Sequence, residues 1–155
     1  MSAGVVQAIF IATQGGQAMQ RVETANALEG CGLEGDRYCT RRGYWTGVDE
    51  CQVTLIEGEV LASVQAERGV HLDAGQHRRN IVTSGLPLAD LTAARFRIGD
   101  AVFAYDRPRP PCRYVESITE PGMTRALGAR RGGICVRVVQ SGRVAIGNAI
   151  EVLSG

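Results

Sequence analysis

From Arg95 onward the chain reads as short β-branched runs cut by glycine turns. Arg95-Phe96-Arg97-Ile98 passes through Gly99-Asp100 into Ala101-Val102-Phe103-Ala104-Tyr105. Residues 134–139, 143–146 and 149–153 repeat the pattern, separated by Ser141-Gly142 and Gly147-Asn148. Tight glycine-containing links between alternating apolar runs are hairpin signals. Further strand patterns lie at 5–12, 52–56 and 81–83, and 19–28 shows partial alternation. One solid amphipathic helix is predicted, over Glu57 to Arg68, with Val60, Leu61 and Val64 on one face and Gly69 as its stop. A shorter one is predicted over Met123 to Leu127. Many short strands with so little helix predict a mainly β barrel or sandwich.

The length of 155 residues suits one domain, residues 1–155, with a substantial core. A net charge of +1 gives no global field for nucleic acid or an anionic membrane. No apolar run approaches the roughly 20 residues that span a bilayer, and the first residues lack the pattern of a signal peptide. Five cysteines (Cys31, Cys39, Cys51, Cys112, Cys135) contain no CxxC pair. An odd number without an export signal predicts reduced thiols and a cytoplasmic location. Zinc is not expected, because two histidines and scattered cysteines lack ligand spacing. Every basic residue is arginine, so an anion held by side-chain charge meets planar, bidentate donors.

Chemistry concentrates in a few stretches. Arg107-Pro108-Arg109-Pro110-Pro111-Cys112-Arg113-Tyr114 stiffens the backbone just ahead of a cysteine. A helix beginning after Arg113 would set Cys112 at its N-terminus between Arg109 and Arg113, and both features favour the thiolate. A buried, inert thiol is the alternative. In Gln76-His77-Arg78-Arg79-Asn80-Ile81-Val82-Thr83, strand alternation sends Arg79 to one face and Arg78 with Asn80 to the other. One arginine would then face an interior site and the other solvent. Gly30-Cys31-Gly32-Leu33-Glu34-Gly35-Asp36-Arg37 supplies either close backbone approach or a turn in which Asp36 bonds its own backbone. The loop 41–47 carries Tyr44 and Trp45, which either overhang a pocket or anchor a solvated loop. Arg130 and Arg131 sit between glycines, where backbone amides can cradle an anion.

Six of these motifs, in order, resemble the MOSC domain family, which includes the C-terminal part of molybdenum-cofactor sulfurases. They are Gly32-Leu33-Glu34-Gly35-Asp36-Arg37, Gln52-Val53-Thr54-Leu55-Ile56, Arg78-Arg79-Asn80-Ile81-Val82, Phe96-Arg97-Ile98-Gly99-Asp100-Ala101, Pro111-Cys112 and Arg131-Gly132-Gly133. The resemblance runs from about Val5 to Leu153 and implies a closed or partly open β-barrel like the pyruvate kinase barrel domain. It implies binding of the molybdenum cofactor, an anionic pterin, with sulfur carried as a persulfide or molybdenum ligated on Cys112. Asp36, Arg37, Arg78, Arg79, Asn80 and Arg131 would line that cofactor site. The implied activities are sulfur transfer or molybdenum-dependent reduction of N-hydroxylated compounds, and the implied partners a cysteine desulfurase or a molybdoenzyme. Many bacterial relatives carry histidine where this chain has Tyr38. The alternatives are a non-catalytic cofactor-delivery module and a redox sensor pairing Cys112 with Cys135.

Overall fold

The computed structural model describes residues 4–43, 51–109, 118–126 and 132–154. Its strands are β1 (Gly4–Ile11), β2 (Gln20–Val22), β3 (Thr24–Leu28), β4 (Gly32–Leu33), β5 (Val53–Glu57), β6 (Ile81–Ser84), β7 (Arg95–Ile98), β8 (Ala101–Pro108), β9 (Ile134–Gln140), β10 (Gly142–Ala145) and β11 (Ala149–Ser154). The helices are α1 (Arg37–Thr40), α2 (Gly58–Arg68) and α3 (Met123–Ala126), with a 3-10 turn at Leu88–Leu91.

Seven strands close into a barrel in the order β1, β6, β5, β9, β8, β7, β11 and back to β1. The seam is the antiparallel pair Gly4↔Ile150 and Val5↔Ala149. Closure removes the exposed edges that an open sheet of these strands would leave. The pairing of β5 with β6 is parallel, with Leu55 opposite Ile81. A parallel pair needs a crossover, which α2 supplies. That helix begins at Gly58 and ends where Gly69 turns left-handed at φ 69°, as its sequence predicts.

Packing follows from a break in the alternation of β1. The register of β1 against β6 slips between Val6 and Ala8. Gln7 is therefore an extra residue, and Val6 and Ile9 both face the barrel interior. Ala8 and Phe10 face outward, where they meet Ile56, Leu61, Val64 and Val82 under α2. The interior is filled by Leu55, Ile81, Phe96, Ile98, Phe103 and Val136, all fully buried. Phe96 and Phe103 lie opposite each other on β7 and β8 with stacked rings 5.7 Å apart. A small second sheet, β10-β3-β4, lies outside the closed barrel.

The cysteines correct the expectation of reduced thiols. Cys31 is bonded to Cys39 and Cys51 to Cys135, with Cα separations of 4.7 and 6.0 Å. Both separations lie inside the range a disulfide requires. Cys135 is thereby committed to Cys51, not to the Cys112 partnership that a redox sensor would need.

Candidate functional site

Polar side chains are buried together at one end of the barrel. They come from α1, from the turn before β6 and from the end of β8. Asp36, Arg37, His77, Arg78, Arg79, Asn80 and Arg109 are each 7% exposed or less. Four buried arginines accompany one buried carboxylate among these described residues.

Asp36 organises the entry to α1. Its Oδ2 accepts from the Tyr38 amide at 3.3 Å, and Oδ1 accepts from the Ala12 amide at 3.0 Å and from Arg37 Nη1 at 3.1 Å. The carboxylate is fully buried in this cap, so the local-backbone reading of Asp36 holds and its carboxylate is turned inward. Arg37 extends from it, donating through Nη2 to the Arg78 carbonyl at 3.1 Å. Its guanidinium also lies 4.4 Å above the Tyr38 ring.

The turn before β6 overrides simple alternation. Arg78 adopts φ 66°, so the chain is not extended there. Arg78 and Arg79 are consequently both buried, where alternation had sent one of them to solvent. Arg78 donates to the Gln17 carbonyl. Arg79 donates through Nε to the Gly132 carbonyl and through Nη2 to the Arg109 carbonyl at 2.9 Å. Those two carbonyls bracket residues 110–131, so one guanidinium ties together both ends of that stretch. The Arg109 amide in turn donates to the Gly133 carbonyl at 2.9 Å. Gly133 has φ 94°, and a Cβ there would fall on the Leu55 carbonyl oxygen. Glycine is required for β9 to approach β5 this closely.

Asn80 serves the barrel itself. Its Oδ1 accepts from the amide and hydroxyl of Thr54 at 3.0 and 3.1 Å, and its Nδ2 donates to the Phe10 carbonyl at 3.1 Å. The carboxamide therefore joins β1 to β5 and is fully enclosed. This places it in the frame beneath the cluster. Cys112 and Arg131 lie outside the described residues, as do Tyr44 and Trp45.

Two groups report the sign of the field here. Burial pushes the Tyr38 phenol up, but Arg37, Arg109 and Arg79 outweigh it and hold the group below its usual range, against Asp36. His77 is pushed down to about 3, first by burial and then by Arg79 and Arg78. Its Nδ1 accepts from the Arg79 amide at 2.9 Å, so the neutral ring carries its proton on Nε2. The rim is electropositive and built from planar cationic donors, a donor set that fits a phosphate or another anion. Sequence reasoning left out Tyr38 and His77 as site members and read Arg109 only as a cationic neighbour of Cys112. The signal for His77 was the polar run leading into the strand pattern at 81–83, and for Arg109 the charged residues that end the strand pattern at 101–105.

Three solved structures share this fold. The structure is similar to that of the YuaD protein of Bacillus subtilis, with a TM-score of 0.75 at 19% identity over 100% of this chain and 97% of that one. It is similar to YiiM of Geobacillus stearothermophilus, with a TM-score of 0.68 at 18% identity over 98% of this chain and 73% of that one. YiiM of Escherichia coli gives 0.68 at 18% identity over 97% and 70%. At such identities these likenesses speak to the barrel alone. No curated protein matches the sequence. The family model for the MOSC domain matches residues 43–151, most of the barrel and the end of β8 where the arginines gather. The chain belongs to the MOSC domain family.

Proposed function

We propose that this chain binds the molybdenum cofactor, an anionic pterin, at the arginine-rich rim and performs sulfur chemistry with Cys112 beside it. The observation that carries the reading is the Arg79 tie. A buried guanidinium holds the carbonyls of Arg109 and Gly132, and Cys112 follows Arg109 by three positions in the sequence. The stretch bearing the thiol thus departs from and returns to the electropositive cluster. Family membership supports the class of chemistry, since MOSC domains are linked to this cofactor and to sulfur handling.

In this reading Arg37, Arg78, Arg79 and Arg109 set a positive potential that attracts the pterin's phosphate, with Arg131 a further donor. Asp36 and Asn80 hold α1, β1 and β5 in place beneath it. When bound, the cofactor supplies a thiol-rich molybdenum centre, for which a thiolate is a suitable soft ligand. The same thiolate can act without the metal. Cys112 attacks the terminal sulfur of a donor persulfide, the S–S bond of the donor breaks, and the donor leaves as a thiolate. Cys112 then holds the sulfur as its own persulfide. A cysteine desulfurase is the donor of suitable chemistry and a molybdoenzyme the acceptor. The reading keeps the cytoplasmic location expected from the sequence; cysteine pairs in that compartment are usually reactive ones.

The test is expression in a host that makes molybdopterin, followed by assay of co-purified molybdenum and pterin and by persulfide labelling. Wild type should carry pterin and a labelled Cys112. Cys112→Ala should lose the label, and loss of molybdenum with retained pterin would assign it as a metal ligand. Absence of both pterin and label in folded wild type overturns the proposal.

A further inference from the structure

A second site lies beside α1, on the wall of a cavity of about 420 Å³. Cys31, Cys39 and Cys51 all line it, together with Tyr38, Arg41 and Arg137. Cys31 stands in the tight turn between β3 and β4, where its amide donates to the Leu28 carbonyl at 3.0 Å. Cys39 stands in α1. The two disulfides differ in access. Cys31 and Cys39 are both partly exposed, whereas Cys51 and Cys135 are 6% and 0% exposed. The carboxylate on the same wall, Asp106, is paired with Arg107 at 2.8 Å, which leaves the cavity's lining cationic in balance. Accessible sulfur in cationic surroundings is the environment in which cysteines react.

We propose that Cys31–Cys39 is a reactive disulfide–dithiol site that exchanges with small anionic thiols admitted by this cavity. An incoming thiolate attacks one sulfur of the pair; a mixed disulfide forms, and the other cysteine departs as a thiolate that takes up a proton. A second thiolate attacks the small-molecule sulfur of the mixed disulfide. The small-molecule disulfide leaves, and the second cysteine is released and protonated in turn. Two small thiols are oxidised by two electrons in all, and the pair is reduced to a dithiol; the reverse reaction uses the small disulfide. Cys51–Cys135 is the internal comparison: Cys51 borders the same cavity but is only 6% exposed, and Cys135 is fully enclosed. The inference does not depend on the cofactor reading, because it uses neither Cys112 nor the buried arginines.

The experiment equilibrates the folded protein with mixtures of reduced and oxidised glutathione, blocks free thiols by alkylation and maps them by peptide mass. Cys31 and Cys39 should pass between disulfide and alkylated dithiol with the mixture, while Cys51 and Cys135 alkylate only in denaturant. Cys31→Ser should trap one glutathione on Cys39, and Cys39→Ser one on Cys31. The anionic thiol should exchange at least about fivefold faster than cationic cysteamine, and Arg137→Ala should reduce that ratio. Exchange at Cys51–Cys135 first, a Cys31–Cys39 pair inert to both thiols, or equal rates for the two thiols overturns the proposal.

Discussion

Acid should destabilise this barrel through His77, by an amount that follows from its surroundings. The ring is fully buried, accepts from the Arg79 amide and faces the charges of Arg78 and Arg79, and its pKa is pushed down from 6.5 to about 3. The unfolded chain therefore binds a proton near pH 6.5 that the folded chain refuses until far lower pH. Stability from this group is fully present above pH 6.5 and is lost as pH falls toward 3. Integrating the difference in bound protons between about pH 7 and pH 5 gives a loss of about 2 kcal/mol from His77 alone. Urea unfolding followed by circular dichroism at the two pH values should show the midpoint falling by about 1 M. In His77→Asn, the side-chain oxygen can replace Nδ1 as acceptor without titrating, and most of the shift should vanish. His71, the other histidine, is exposed and paired with Glu120 at 3.1 Å. An undiminished pH effect in His77→Asn refutes the reasoning.

Asn80→Ala removes the link between β1 and β5 and leaves buried groups of Thr54 and Phe10 without their partner. It should cost about 3 kcal/mol by urea unfolding. Gly133→Ala forces a side chain against the Leu55 carbonyl at a left-handed φ. Its thermal midpoint should drop by more than that of a surface Gly→Ala change, such as Gly69→Ala. Phe103→Ala opens the stacked interior pair and should cost about 3–5 kcal/mol in the same assay. In an alkaline titration by tyrosinate absorbance, Tyr38→Phe should remove a component that ionises below the usual tyrosine range.

The C-terminal strands were legible because alternation and glycine turns act locally. Arg95–Ile98, Ala101–Pro108, Ile134–Gln140 and Ala149–Ser154 all follow their patterns. Glycine turns also located α2's end. The breaks in periodicity were not legible. Nothing in Val5-Val6-Gln7-Ala8 announces the extra residue that turns Ile9 inward. Nor does the Arg78-Arg79 pair announce the left-handed turn that buries both. The local cap of Asp36 on Tyr38 was legible, but its bond to Ala12 spans 24 residues and the partners of Asn80 lie 26 or more away, so those long-range ties had no local signature. Cys51 meets Cys135 across 84 residues, through the long-range pairing of β5 with β9. Family resemblance bridged part of this distance by ordering motifs that folding brings together.

The central claim is that buried guanidiniums at the barrel rim hold an anionic pterin. Its most direct measure is the pterin content of wild type and Arg109→Gln, purified from the same molybdopterin-making host and matched for folding by circular dichroism. The account predicts pterin on wild type and a loss of about tenfold or more on the variant, since one charge-assisted contact is worth about 1.5–3 kcal/mol. Equal pterin on both proteins, or none on either, would contradict it.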